Sequence, residues 1–445
     1  MLVYTSDTDN GRIVQKNRQL RKHICVSTKS KLMLMFVFCT VYAVVILSSA
    51  PWIIHSAFTE RTSTTISAKN DSLSLKHTKY SISREGEPST SKQRKHKLVD
   101  ILQLFGDVEP VYNISEHNKS SAILKILWYN RPSWFGEEEE ECNTNINKCF
   151  QGNCVITYNR SLLEEANALL FDATASNFPQ NPPLIPQKGR SPNQIWIFYG
   201  LESPVHYHNN HFKRPEWRSM FNWTMTYRLD SDIPHPYGIL FTNPYPPDRN
   251  YSAIFRSKTK FAAWVVSHCN AGSKRDDFVR LLQTYVPVDI FGNCGTNSCS
   301  RTGTECRDNI GKAYKFYLSF ENSLCKDYIT EKFFDYFPLD LITIQRGYSD
   351  YESLLPKDGY MNSANFSTVQ ELANGMKRLA EDEDKFVLYL KSKDRYVLKS
   401  LNWTYCNALC KICKKLNNLE KYKRSYNDIV SWLDNNTCSS ADDIR

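Results

Sequence analysis

Glycine is scarce in this chain, 16 of 445 residues, and neither G-x-G-x-x-G nor G-x-x-x-x-G-K-[ST] occurs. Those glycine-rich turns let backbone close around a dinucleotide pyrophosphate or a triphosphate, so both motif-borne nucleotide sites are excluded. The body also has little net charge. The formal balance of +9 is carried by residues 1–31, with seven Lys and Arg against Asp7 and Asp9, and by residues 55–97, with nine against four acids. From Leu98 onward the sum is about −1, which does not support a nucleic-acid-binding body. Apolar content is not lacking. The chain is 41% hydrophobic and 13% aromatic, too rich for a disordered or collagen-like chain.

Residues 32–54, LMLMFVFCTVYAVVILSSAPWII, contain no charge over 23 positions, enough to span a bilayer with some tilt. Arg18, Arg21, Lys22, Lys29 and Lys31 precede them, which predicts a cytoplasmic tail over 1–31 and a luminal chain after Ile54. The run is too long, and too far from the amino terminus, for the apolar region of a cleaved signal peptide. Sequons at Asn70, Asn113, Asn118, Asn159, Asn222, Asn250, Asn365, Asn402 and Asn435 all lie beyond it. So do twelve of the fourteen cysteines, an even number suited to an oxidising compartment. Residues 55–97 hold 15 Ser and Thr with almost no aliphatic clusters, and predict an extended stem reaching to about residue 120.

From Ala122 short apolar runs alternate with helical patterns. Strands are predicted at 122–129, 195–200 (IWIFYG), 259–269, 288–292 and 315–321, with helical spacing running into a strand at 161–171 and helices at 277–286 and 328–337. That rhythm implies α/β architecture with parallel sheets and crossover helices. Two doubly wound, Rossmann-like domains are expected: 121–245 and 246–415, with NPYPPDRN (243–250) as the hinge and 416–445 as a C-terminal tail. Ligands in such sheets bind beyond the carboxyl ends of the strands.

Residues 314–332 read YKFYLSFENSLCKDYITEK, which resembles the donor-binding signature of the α1,3-fucosyltransferases. NRSLLEEANALLF (159–171), IWIFYGLESP (195–204), FNWTMTYRLDSDIPHPYGIL (221–240) and KTKFAAWVVSHC (258–269) resemble further family segments in the same order, over roughly 122–415. The resemblance implies a GT-B enzyme, two domains facing a cleft, in the Golgi membrane as a single-pass type II protein. It would transfer L-fucose from GDP-β-L-fucose, with inversion, to the 3-hydroxyl of an N-acetylglucosamine. Glu202, in Glu-Ser-Pro, would be the catalytic base, because a single displacement needs a carboxylate to take the acceptor proton. Lys332 and Arg275 would meet the diphosphate beside the amino terminus of the 328–337 helix. Glu331 would contact fucose and act in catalysis, and Tyr317, Asn322 and Tyr328 would line the donor pocket. No cofactor is implied, with Mg²⁺ or Mn²⁺ at most stimulating.

Several competing signals are weighed. Asp230-Ser231-Asp232 has the D-x-D form of a metal-dependent transferase, but it lies in a segment the family carries as a structural loop. Cys406, Cys410 and Cys413 have no His at zinc-partner spacing. The resemblance implies instead that Cys410 and Cys413 pair with two of Cys142, Cys149 and Cys154. Glu137–Glu141 reads as a solvated loop, and His206, His208 and His211 as lining an acceptor loop rather than a metal tract. FFDYFPLDLITIQRG departs from the family: Pro338 falls inside the expected helix, where it costs about 3 kcal/mol, and Thr343 stands where Pro is usual. Core N-glycan N-acetylglucosamine and outer N-acetyllactosamine are both open as acceptors. NCGTNSCSRTGTEC (293–306), with Cys294, Cys299 and Cys306, resembles the core-modifying invertebrate and plant enzymes. A catalytically weak, glycan-binding relative is the alternative from another class.

Overall fold

The structure, a computed structural model, describes residues 122–149, 152–185, 189–299 and 303–444. The expected cytoplasmic tail, membrane span and stem, with Asn70, Asn113 and Asn118, lie outside the described residues. Among the described residues no helix is long and apolar enough to cross a membrane.

Two parallel sheets form the body. The first contains β1 (Leu124–Asn130), β2 (Cys154–Thr157), β3 (Ala168–Asp172), β4 (Ile195–Gly200), β5 (Trp223–Thr226) and β6 (Ile233–Pro234) in the order β2-β1-β3-β4-β5-β6. After β7 (Gly238–Thr242), the second contains β8 (Lys260–Val265), β9 (Val288–Phe291), β10 (Tyr314–Phe320), β12 (Ile342–Arg346) and β13 (Tyr360–Asn362) in the order β13-β12-β10-β8-β9. Counted within its own half, each sheet begins 2-1-3-4-5, so both are doubly wound with the order reversing beside the first strand. β3 and β4 are buried along their whole length because helices or loops cover both faces, hence their unbroken apolar text.

Helix Val369–Glu381 shows how the crossovers are specified. Val369, Leu372, Ala373, Met376, Leu379 and Ala380 repeat at three and four residues and bury one face, and Thr368 caps the amino end by accepting from the Glu371 amide at 3.1 Å. Gly292, just after β9, has φ +89°, and a Cβ there would sit 2.5 Å from the Val266 carbonyl oxygen.

The chain crosses between halves more than once. β14 (Tyr396–Ser400) pairs antiparallel with β7, and helix Leu401–Leu416 then packs Tyr405, Leu409 and Ile412 into the core of the first half. Three disulfides fix that helix: Cys142–Cys406, Cys149–Cys410 and Cys154–Cys413. Cys269–Cys294 and Cys299–Cys306 staple the loops around β9. Residues 416–444 also pack: the Trp223 indole donates to the Tyr422 carbonyl at 3.0 Å, and β15 (Cys438–Ser439) pairs with β11 (Leu324–Cys325), joined by Cys325–Cys438.

Three local expectations are corrected. The helical spacing at 161–171 yields only a short 3₁₀ turn, Arg160–Leu162, before β3, because the Gln194 amide takes the Leu163 and Ala166 carbonyls at 2.8 and 3.0 Å. The 328–337 helix is a single turn, Glu331–Phe334, so Pro338 lies after it and breaks no helix bond. Glu137–Thr144 is a helix rather than a loop; the Glu139 carboxylate accepts the Gly136 amide at 2.8 Å and Glu140 pairs with Arg131 at 2.9 Å.

Candidate active site

In the second sheet the strand order reverses between β8 and β10, and Arg275 occupies that point at the start of helix Arg275–Gln283. Its Nη1 donates to the Phe320 carbonyl and its Nη2 to the His268 carbonyl, both at 2.9 Å. Carbonyls orient the guanidinium without neutralising it. Arg275 is 3% exposed, its Nε has no hydrogen-bond partner among the described residues, and burial lowers its pKa. A fixed cation at the carboxyl edge of a doubly wound sheet, with no carboxylate at ion-pair distance among the described residues, is suited to an anion.

Lys332 stands on the single turn after Thr330. Its Nζ donates to Glu331 Oε1 at 2.7 Å and to Thr330 Oγ1 at 2.9 Å, and lies 3.4 Å from Glu321 Oε2. Burial opposes the ammonium, but Glu331 and Glu321 outweigh it, and its pKa lies above that of ordinary lysine. Glu321 follows β10 and is fully buried. It accepts the Thr330 amide at 2.9 Å and the Thr330 hydroxyl at 2.9 and 3.1 Å, so it sets the backbone entering the turn. Burial raises the Glu321 pKa despite Lys332 beside it. Sequence reasoning did not single out Glu321. The available signal was a carboxylate ending an otherwise apolar strand at the ligand-binding edge.

Glu202 comes from the other half, two residues past β4. The Tyr328 hydroxyl, from the second half, donates to Glu202 Oε2 at 2.7 Å, and burial pushes that phenol well above its ordinary pKa. Ser323 Oγ meets Ser203 Oγ at 2.6 Å in the same crossing. The loops after β4 and β10 are therefore joined at two points. The structure brings together Glu202 with Tyr328, and Glu331 with Lys332. Asn322 lies between, its carbonyl accepting from the Ser273 amide at 3.2 Å and its Oδ1 from Ser323. Tyr317 sits lower, inside β10, stacked flat on Tyr336 with centroids 3.4 Å apart.

The remaining polar motifs are occupied. Arg228 grips Asp230 with two bonds of 2.9 and 2.7 Å and Lys326 adds a third at 3.1 Å. Asp232 accepts the Thr224 amide at 2.9 Å, the Tyr426 hydroxyl at 2.8 Å and Arg424 at 2.8 Å. The three histidines diverge: His211 bonds the Phe178 carbonyl at 3.1 Å, His208 is exposed, and His206 lies edge-on to His268 at 5.3 Å. Among the described residues no group of three or more His, Cys, Asp or Glu could hold a metal ion. Of the described sequons, Asn159, Asn250, Asn365 and Asn435 are exposed, and Asn402 is partly buried. The Asn222 carboxamide is engaged by the Trp196 amide at 2.9 Å and the Arg424 carbonyl at 3.0 Å.

Comparison with known proteins gives concordant matches. The family model described as glycosyltransferase family 10 (fucosyltransferase), C-terminal, matches residues 255–432, and the fucosyltransferase N-terminal model matches 119–238. The chain is 36% identical over 303 residues to alpha-(1,3)-fucosyltransferase C of Drosophila melanogaster, covering 64% of this chain and 68% of that one. It is 34% identical over 336 residues to glycoprotein 3-alpha-L-fucosyltransferase A of the same organism, covering 72% of this chain and 62%, under two thirds, of the relative. A crystal structure of an alpha1,3-fucosyltransferase with GDP gives a TM-score of 0.47 at 19% identity, over 74% of this chain and 97% of that one.

Proposed function

The chain belongs to glycosyltransferase family 10, the fucosyltransferases, and from that premise we propose that it transfers L-fucose from GDP-β-L-fucose, with inversion, to the 3-hydroxyl of N-acetylglucosamine on glycoprotein glycans. The observation that carries this reading is the meeting of Glu202 and Tyr328 across the two halves, beside the cations Arg275 and Lys332.

In the reaction, the free oxygen of Glu202 takes the acceptor hydroxyl proton while Tyr328 holds the other oxygen. The acceptor oxygen bonds to fucose C1 as the C1–O bond to the diphosphate breaks, and the electron pair leaves with GDP. Arg275 and Lys332 offset the charge gathering on the diphosphate. Glu331, half-exposed beside Lys332, faces the sugar as positive character develops at C1. Asn322 shapes the nucleotide side, and Tyr317, buried within β10 against Tyr336, would support it from below rather than line it. The two halves form a GT-B cleft, and the phosphate role rests on the two side chains, since one helical turn offers little dipole. With Asp230 and Asp232 engaged by Arg228, Lys326 and Arg424, the reading assigns no metal, and Mg²⁺ or Mn²⁺ would act only on released GDP.

For the acceptor, we favour the core N-acetylglucosamine of N-glycans over N-acetyllactosamine arms. Two disulfides, Cys269–Cys294 and Cys299–Cys306, reshape the loops at the carboxyl end of the second sheet, and one relative is named for glycoprotein 3-α-L-fucosyl transfer. We read the run at 32–54 as a membrane span with the body luminal, and take the Golgi membrane as its site from the family resemblance. The full-length chain in detergent, given labelled GDP-fucose, should fucosylate a core glycopeptide lacking galactose. Glu202→Gln should lower turnover by about 10²-fold or more while GDP still binds. Near-wild-type turnover of that variant refutes the base. Transfer to N-acetyllactosamine alone refutes the core acceptor, and glycan binding without any transfer leaves a lectin-like relative.

A further inference from the structure

The last residues of the chain return to the underside of the site. Arg346, at the end of β12, is 1% exposed, and Asp443 holds it with two bonds: Nε to Oδ2 and Nη2 to Oδ1, each 2.7 Å. Among the described residues Asp443 is its one carboxylate partner at ion-pair distance. Arg346 is also wired to the site. Its Nη2 donates to the Ser273 carbonyl at 2.9 Å, and its own carbonyl accepts the Glu321 amide at 3.1 Å. Ser273 Oγ donates to the Glu321 carbonyl at 2.7 Å, two residues before Arg275, and the Glu321 carboxylate meets Lys332. Both proposed phosphate cations therefore lie a few bonds from Asp443.

A second grip holds the loop that carries Tyr328. Cys438 is disulfide-bonded to Cys325, three residues before Tyr328, and the Lys326 amide donates to the Thr437 carbonyl at 2.7 Å. Thr437 Oγ1 also accepts from Arg228 at 3.0 Å, so the segment touches the first half, while Ile444 packs on the apolar core of the second. A purely decorative tail would have no reason to supply the counter-charge of a buried guanidinium, whose desolvation is costly unless paired.

We propose that residues 437–443 form a strap that positions the donor side of the site, with Asp443 and Cys438 as positioning residues that do not touch substrate. The inference rests on the donor reading above and adds to it. Removing the Asp443 charge leaves Arg346 buried and unpaired, which shifts Ser273 and Glu321 and, through them, Arg275 and Lys332.

The test compares the full-length chain with Asp443→Asn, Asp443→Glu and the pair Cys325→Ala/Cys438→Ala. It reads GDP affinity by calorimetry, KM for GDP-fucose and for acceptor, and thermal midpoint. Asp443→Asn should weaken GDP binding and raise donor KM by about tenfold, the effect of one charged hydrogen bond, with acceptor KM unchanged. Asp443→Glu should recover most of the loss, and the cysteine pair should move donor KM in the same direction. Donor KM and GDP affinity within twofold of wild type in Asp443→Asn would overturn the strap, even with a lowered midpoint, because that is a structural role alone. If the cysteine pair does not accumulate, the exposed Asp443 carboxylate decides the question by itself. Wild-type chain that binds no GDP would overturn the donor reading instead.

Discussion

Glu321→Gln isolates one charge beneath the site. The side chain is fully buried, and its neighbours are the Thr330 amide and hydroxyl and the Lys332 ammonium at 3.4 Å. Gln keeps the shape and an acceptor for the Thr330 amide, so the change removes mainly the attraction to Lys332. At an effective dielectric constant near 20, a unit pair at that distance is worth about 5 kcal/mol. Removing the buried charge also recovers its desolvation, several kcal/mol per ion, and the raised Glu321 pKa shows that this cost exceeds the attraction, so Glu321→Gln should be neutral or stabilising by about 1 kcal/mol. For a body of about 320 residues that raises the thermal midpoint by roughly 1–2 °C at most. Glu331→Gln is the contrast: its carboxylate also pairs with Lys332 but is half-exposed. Burial opposes its charge, but that ammonium outweighs burial and lowers its pKa, and such pairs are worth at most about 1 kcal/mol. Thermal unfolding of the full-length chain and both variants should rank Glu321→Gln at or above wild type and Glu331→Gln at or below it. A Glu321→Gln midpoint several degrees below wild type and below Glu331→Gln would refute this balance of desolvation against pairing at Glu321.

Arg275→Ala and Lys332→Ala should each weaken GDP binding as well as turnover, and calorimetry finding unchanged affinity in both would remove them from the phosphate site. Enzyme treated with EDTA should keep most of its transfer rate; complete loss restored by Mn²⁺ would return Asp230 and Asp232 to catalysis. His235 is fully buried against Tyr199 and Tyr405, and burial pushes its pKa down to about 3. The unfolded chain takes that proton near pH 6.5, so between 6.5 and 3 the unfolded state binds more protons and stability falls with pH by about 1.4 kcal/mol per unit. His235→Phe should lose about 2 kcal/mol less stability than wild type between pH 7 and pH 5, and equal acid slopes for the two would contradict this.

The strands were legible because the first sheet is buried on both faces, which leaves continuous apolar text such as IWIFYG with little else to become. Helices were less legible where a side chain intervened. SLLEEANALL has helical spacing, but Gln194, some thirty residues away, captures its carbonyls, and no local pattern encodes that. Glu202, Tyr328 and Lys332 could be named from their motif, whereas the 2.7 Å bond that unites Glu202 with Tyr328 spans 126 residues of chain. The C-terminal residues read as a tail because they are polar and charged. The overlooked signal was arithmetic: twelve luminal cysteines with eleven before residue 416 require a partner for Cys438, which is Cys325, inside the donor signature.

The division of labour between the halves follows from these long-range links. A site split across two sheets works only if the sheets keep their relative register, and parallel sheets do not pair edge to edge here. Instead, the chain returns to the first half through β14 and the helix Leu401–Leu416, which three disulfides lock to β2 and its approach. Closing loops of about 260 residues removes several kcal/mol of unfolded-state entropy in the chain-entropy account. The cost of ordering Glu202 against Tyr328 is thereby met during folding rather than when substrate arrives, which is what preorganisation of the proposed base and leaving-group cation demands.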